Sequence, residues 1–225
     1  MPMNSLRDDK RLIALLDRLH TQSDSQEIVI QAYVADEAAR STVGTAAELA
    51  AGRPYWSDKL VALERDKACF CYALCRALRA RRVVEAGTSY GVSTLYLAAA
   101  LRDNGGGTVI ATEYESTKAA IARAHFAEAR LSSYVDLREG DVRETLEDIG
   151  GPVDFLLLDI WTPMARPVME LVAKHLRQGA IVVTDNTSTR GNDYHDLFAF
   201  IKEPAHGFTT QTLPFKGGLE LSVKL

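Results

Sequence analysis

Acidic side chains stand at the ends of five short apolar runs in this 225-residue chain. The runs "RRVVEA", "GTVIATE", "YVDLREG", "VDFLLLD" and "GAIVVTD" close on Glu85 with Gly87, Glu113, Glu139 to Asp141, Asp159, and Asp185 with Asn186. A single acidic strand end is ordinarily a turn residue or a helix cap. Five along one edge of one sheet would repel one another unless something cationic or hydrogen-bonding stood among them. The edge as a whole therefore reads as a site.

The first run leads into Glu85-Ala-Gly87-Thr88-Ser89-Tyr90-Gly91, a strand, a glycine turn and the start of a helix. Glycine permits positive backbone angles and close approach of a ligand, and a helix start offers free amides. The dinucleotide form of such a turn needs a second glycine where this chain has Ser89, so a ligand without a pyrophosphate fits better. Glu113, 26 positions after Gly87, ends the second run where a carboxylate can accept from ribose hydroxyls. Asp141, in "REGDVRE", is placed to meet a purine amino group. Turn, ribose acid and adenine acid in this order have the form of a nucleoside site.

These residues need a frame, and the periodicity supplies one. Runs alternating with helical stretches near 92 to 102, 116 to 130, 142 to 149 and 164 to 177 predict right-handed crossovers and a mostly parallel sheet covered on both faces. Ligands in such sheets bind beyond the carboxyl ends of the strands. A helix from about Asp193 to Lys202 follows, and "GFTTQTL" and "GLELSVKL" across "PFKG" predict an antiparallel hairpin. Before the sheet, residues 5 to 20 and Gln26 to Arg40 read as two amphipathic helices. "AAGRPYWS" breaks the pattern, and Ser57 is a plausible cap for a long helix to about Ala80. Residues 1 to 56 are expected to form a helical extension and 57 to 225 the ligand-binding domain.

The motifs "VVEAGTSYGVSTLYLA", "VIATEYE", "REGDV", "VDFLLLDIW", "GAIVVTDN" and "GGLELSVK" resemble the class I S-adenosylmethionine-dependent methyltransferases, over about residues 60 to 225. Within these the chain is most similar to the catechol and caffeoyl-CoA O-methyltransferase group. The resemblance implies a Rossmann-like, doubly wound α/β fold with a seven-stranded sheet and an antiparallel last strand. It implies that Gly87 and Gly91 shape the cofactor turn, that Ser93 holds the methionine carboxylate, that Glu113 takes the ribose, and that Asp141 with Val142 takes the adenine. The S-adenosylmethionine site is accordingly assigned to Glu85, Gly87, Thr88, Ser89, Gly91, Ser93, Glu113, Tyr114, Gly140, Asp141, Val142, Asp159 and Trp161.

In the cation-dependent branch of that group a divalent ion is held by an aspartate after the fourth strand and an Asp-Asn pair after the fifth. The resemblance thus implies Asp159, Asp185 and Asn186 as ligands of Mg²⁺ or Mn²⁺, a hard-oxygen set that would leave positions for a vicinal diol. The catechol branch carries a lysine base three residues after the first metal aspartate; here Thr162 stands there, followed by Pro163. His195 in "NDYHDLF" is the alternative candidate for proton transfer, beside Asp159 as the catalytic carboxylate. Arg190 is a candidate for an acidic acceptor group and Trp161 for an apolar wall against an aromatic ring.

Composition narrows the partners. With 47% hydrophobic and 25% charged residues the chain is globular, and a net charge of −4 lacks the basic footprint of a nucleic-acid binder. The N-terminus lacks a secretion signal and no apolar run approaches a membrane span, so a cytoplasmic protein is expected. Cys69, Cys71 and Cys75 lack further ligands nearby and read as small apolar residues of a helix in a reducing compartment. The leading expectation is an O-methyltransferase for a small, aromatic hydroxyl compound, assisted by a divalent cation and acting as a homodimer. The alternatives are a metal-independent methyltransferase, a nicotinamide-dependent oxidoreductase and a cofactor-binding protein without catalysis.

Overall fold

The computed structural model describes residues 6–39, 55–189 and 193–225. Its centre is a seven-stranded sheet formed by β1 (Arg82–Ala86), β2 (Thr108–Glu113), β3 (Val135–Glu139), β4 (Val153–Leu158), β5 (Leu176–Asp185), β6 (Phe208–Leu213) and β7 (Leu219–Lys224). The spatial order is β3-β2-β1-β4-β5-β7-β6. The first five strands run parallel, and β7 is antiparallel to both β5 and β6, as the fold expectation has it.

Central strands of a parallel sheet are covered on both faces, which is why β1 and β4 are almost continuously apolar. One face buries Val83, Val109, Phe155 and Leu157 against α1 (Lys10–Ala39), α2 (Arg65–Ala77) and α3 (Val92–Asp103). The other buries Val84, Ile110, Leu156 and Leu158 against α6 (Thr162–Ala173) and α7 (His195–Lys202). On the first face α4 (Ser116–Glu128) adds Ala122 and Phe126, and on the second the single turn α5 (Val142–Thr145) adds Val142. Leu12, Leu15, Leu16 and Leu19 of α1 are buried in the same cluster as Leu95 of α3. Among the described residues no helix is long and apolar enough to cross a membrane.

The helices depart from the sequence reading in three places. Residues expected to form two N-terminal helices form one, through Lys10–Ala39, because the polar stretch between them holds no Gly or Pro. There Thr21 and Ser25 donate to the carbonyls of Asp17 and Gln22, which is compatible with the helix continuing. The break at residues 50–54 and the end of the second expected helix, Arg40, lie outside the described residues. Second, Ser57 caps no long helix: α2 begins only at Arg65, and residues 59–64 run as an irregular strap before it. Third, the expected helix over 142 to 149 is one turn. Of the cysteines, Cys71 and Cys75 are buried as expected while Cys69 is exposed.

Candidate active site

The strand order reverses direction at β1, with β2 on one side and β4 on the other, and the site gathers there. Ala86 lies opposite Leu158, so the chain leaving β1 at Gly87 runs against the chain leaving β4 at Asp159. The Asp159 amide donates to the Ala86 carbonyl at 3.1 Å. Gly87 has φ +98°, and a Cβ there would stand 1.9 Å from the Asp159 carbonyl oxygen. Gly91 has φ +82°, and a Cβ there would meet the Phe126 ring at 2.5 Å. Ser89 adopts φ +50°, a left-handed conformation that few side-chain-bearing residues take up.

Hydrogen bonds hold this turn. The Thr88 amide donates to Thr112 at 3.0 Å and the Gly91 amide to Thr88 at 2.8 Å. Glu113, at the end of β2, accepts from the Ser89 amide at 2.6 Å and from the Glu115 amide at 2.8 Å, tying two loops to one carboxylate. Glu85 lies beneath, fully buried. Its Oε2 accepts from the hydroxyls of Thr88 and Thr94, whereas Oε1 has no hydrogen-bond partner. Burial pushes the Glu85 carboxyl up, and the Ser93, Thr94 and Thr88 hydroxyls act against it.

Gly87, Thr88, Ser89, Tyr90, Ser93 and Asp159 line one cavity, with Leu60 to Leu63 of the strap on its other side. The strap is held by α1: the Leu60 amide donates to Gln26 Oε1 at 3.2 Å and the Ala62 amide to Ser23 Oγ at 3.1 Å. Sequence reasoning did not single out the strap, since an irregular segment carries no periodicity to read.

The other predicted residues fall around this centre. Asp141 caps α5, accepting from the Arg143 amide at 2.9 Å and pairing with its guanidinium, and Val142 beside it is buried. Gly140 donates to the Glu113 carbonyl at 3.0 Å, which joins the third strand end to the second. Tyr114 is exposed. Trp161 is half-exposed and meets Trp56 edge to face at 6.0 Å, beside a stack of Tyr55 on Tyr33 at 3.6 Å. Thr162 begins α6, with Pro163 in its first turn. His195 is exposed at the start of α7, 3.4 Å from Asp196, and is not part of the cavity lining. Arg190 lies outside the described residues.

The proposed metal set has an unforeseen neighbour. Lys67 of α2 is fully buried, and its Nζ lies 2.6 Å from Asp185 Oδ1 and 2.9 Å from Glu64 Oε2. Asp185 Oδ2 accepts from the Asn186 side-chain amide at 2.8 Å, so both oxygens of Asp185 are engaged. Burial lowers the proton affinity of the Lys67 ammonium, but its bonds to Asp185 and Glu64 outweigh this and leave it raised. Burial, then repulsion by Asp185, Glu85 and Glu64, raises the Asp159 carboxyl above its ordinary value. Among the described residues no three His, Cys, Asp or Glu side chains are grouped to hold an ion. With Asp185 Oδ1 on Lys67 and Oδ2 on the Asn186 amide, the set of Asp159, Asp185 and Asn186 as it stands does not fit a metal. The signal in the sequence was faint but real: Lys67, Cys71 and Cys75 recur every four residues, so the lysine occupies the buried stripe of its helix.

The cradle does fit the cofactor that the motifs imply. It combines a turn that admits no side chain, a buried carboxylate oxygen without a donor, and a carboxylate at the end of β2.

Residues 84–187 match the family model described as a methyltransferase domain. The catechol O-methyltransferase of Mycobacterium tuberculosis (strain ATCC 25618 / H37Rv) is 30% identical over 132 residues, 58% of this chain and 59% of that protein. The match thus spans about three fifths of the length of the curated relatives. Among solved structures, cofactor-bound Rv0187 from MTB superposes with a TM-score of 0.67 at 26% identity, covering 84% of this chain and 95% of that one. An O-methyltransferase from Bacillus cereus in complex with SAH shares the fold at a TM-score of 0.69 and 22% identity, over 92% of this chain and 100% of that one. Domain match, relatives and fold agree with the motifs: residues 84–187 match a methyltransferase domain, and the chain is similar to catechol O-methyltransferases in sequence and to cofactor-bound methyltransferases in fold.

Proposed function

We propose that this protein transfers the methyl group of S-adenosylmethionine to a hydroxyl of a small, aromatic, catechol-like acceptor. The observation that carries the reading is the cavity lined by both the Gly87 turn, pinned by Glu113, and Asp159. When bound, S-adenosylmethionine supplies an electrophilic sulfonium methyl that an acceptor oxygen takes in line, leaving S-adenosylhomocysteine. The chain's work is to hold and orient, since the cofactor carries the reactive group. Glu85 and Ser93 would hold the amino acid end, Glu113 the ribose, and Asp141 with Val142 the adenine. Asp159 borders the turn and would be the carboxylate that receives the acceptor hydroxyl, while Trp161 and Trp56 would offer aromatic faces to a ring.

Two readings of the acidic edge stand beside each other, with a Mg²⁺- or Mn²⁺-type ion on Asp159, Asp185 and Asn186, or without one. The engagement of both Asp185 oxygens by Lys67 and Asn186 favours the second. The N-terminal helix α1 is read as a cover for the site and as the dimer contact, with Ile28 and Val29 exposed on it.

Thermal melts with S-adenosylhomocysteine and with NAD separate the cofactor classes. A ligand bound only by the folded chain adds about 2.7 kcal/mol at a hundred times its dissociation constant. Stabilisation by NAD alone would sink the reading. Turnover of a catechol in EDTA, against added Mg²⁺, then tests the acceptor and the ion separately.

A further inference from the structure

Glu85, Asp159 and Asp185 stand at the carboxyl ends of β1, β4 and β5, and Glu64 ends the strap that leads into α2. Lys67 reaches this edge fully buried, from the buried stripe of α2, and meets Asp185. A buried ammonium is strongly unfavourable unless charge partners and hydrogen bonds surround it. Lys67 has two such partners, Asp185 at 2.6 Å and Glu64 at 2.9 Å. A divalent ion bound to Asp185 Oδ1 would approach to about 2.1 Å and would have to expel the ammonium from that oxygen.

Resting on the proposed methyl-transfer reading, we infer that the Lys67 ammonium is the resident cation of this site. It is a positioning residue that neutralises the Asp159 and Asp185 pair and holds Asp185 in place, the part for which the motifs imply a metal. The consequence is specific. Removing the lysine side chain leaves Asp185 and the neighbouring Asp159 without that ammonium, which is the composition of a divalent-ion site with Asn186 alongside.

Mn²⁺ titration followed by electron paramagnetic resonance, on the full chain with S-adenosylhomocysteine bound, tests this without relying on turnover. The expected result is no stoichiometric Mn²⁺ site in the wild type. A single site should appear in Lys67→Ala and disappear again when Asp185→Asn is added. In the same variant, methyl transfer should fall at least tenfold in EDTA and recover with Mg²⁺, while the wild type is indifferent to either. A wild-type Mn²⁺ site lost on Asp185→Asn would overturn the inference, as would a Lys67→Ala protein that binds S-adenosylhomocysteine but no Mn²⁺. Lys67→Gln, which keeps most of the volume and removes the charge, is read in the same way if the alanine variant does not melt cooperatively. Failure of the cofactor itself to bind would count against the methyl-transfer reading instead, and that binding is measured first.

Discussion

Gly87 and Asp159 lie so close that a single methyl group on the glycine would fall 1.9 Å from the aspartate's carbonyl oxygen. The contact joins the end of β1 to the end of β4, and with φ at +98° the backbone is also unsuited to any other residue. Gly87→Ala should therefore lower stability by about 2 kcal/mol or more, through clash and strain together. Thermal or urea unfolding measures this; a variant as stable as the parent that binds S-adenosylhomocysteine normally would show that the two strand ends are not packed in this way.

Glu113 binds two backbone amides with one carboxylate, at 2.6 and 2.8 Å. Glu113→Ala should weaken S-adenosylhomocysteine binding by roughly tenfold or more, because the loop order is lost together with the proposed ribose contact; each tenfold is about 1.4 kcal/mol. Calorimetric titration measures it. Glu113→Gln, which keeps an acceptor oxygen, should fall between the two.

The strap over the cavity depends on α1 through two side chains. With Ser23→Ala and Gln26→Ala together, the Leu60 and Ala62 amides lose their partners. A partly buried hydrogen bond contributes about 1 kcal/mol, so the Kd for S-adenosylhomocysteine should rise at least roughly fivefold. The affinity change should exceed what the shift in melting temperature accounts for. Unchanged affinity would mean that the strap is not part of the cofactor site.

Trp161 is half-exposed and is not part of the lining of the Gly87 cavity, so its proposed role as a wall for an acceptor ring can be tested apart from cofactor binding. Trp161→Ala should raise KM for an aromatic acceptor by roughly three- to tenfold, the worth of an aromatic contact. The Kd for S-adenosylhomocysteine should stay constant. Steady-state kinetics with a catechol and with an aliphatic diol distinguish an aromatic wall from a packing residue, since only the catechol should be affected.

His20 gives the fold a pH dependence away from the acidic edge. It is almost fully buried on α1, its Nε2 is 3.1 Å from the Tyr96 hydroxyl, and burial followed by the nearby Arg65 holds it below the ordinary value of 6.5, against Asp24 and Asp17. Folding therefore prefers the neutral ring, and the unfolded chain takes up the proton first. The stability contributed is fully present above about pH 6.5 and is lost as pH falls through that value toward the lower folded-state one. His20→Gln, which keeps a donor or acceptor for Tyr96, should show a shallower decline of melting temperature on acidification. Parallel curves for the two proteins would contradict this assignment.

Much of this architecture is readable in the chain itself because it is local. The apolar runs ending in Glu85, Glu113, Asp159 and Asp185 specify buried parallel strands, since alternation is unnecessary where both faces are covered, and the glycines after β1 specify the turn. The closing hairpin is equally local, for a linker as short as "PFKG" leaves no room for a parallel return. Helix boundaries were less legible. Whether residues 59–64 continue a helix or cross the site as a strap depends on the side chains of α1 that receive their amides, not on their own composition.

What the tertiary structure alone decided is which charges meet. Asp159, Asp185 and Asn186 fall near one another through the parallel register of β4 and β5, which the strand pattern already implies. Lys67 arrives from a helix 118 positions before Asp185, and nothing in its neighbours distinguishes it from a solvated lysine except its place in the buried stripe. Short-range patterns report how a segment buries its apolar side. The partner of a charge is set by packing between distant elements, and at this edge that packing places an ammonium where the motifs alone imply a metal.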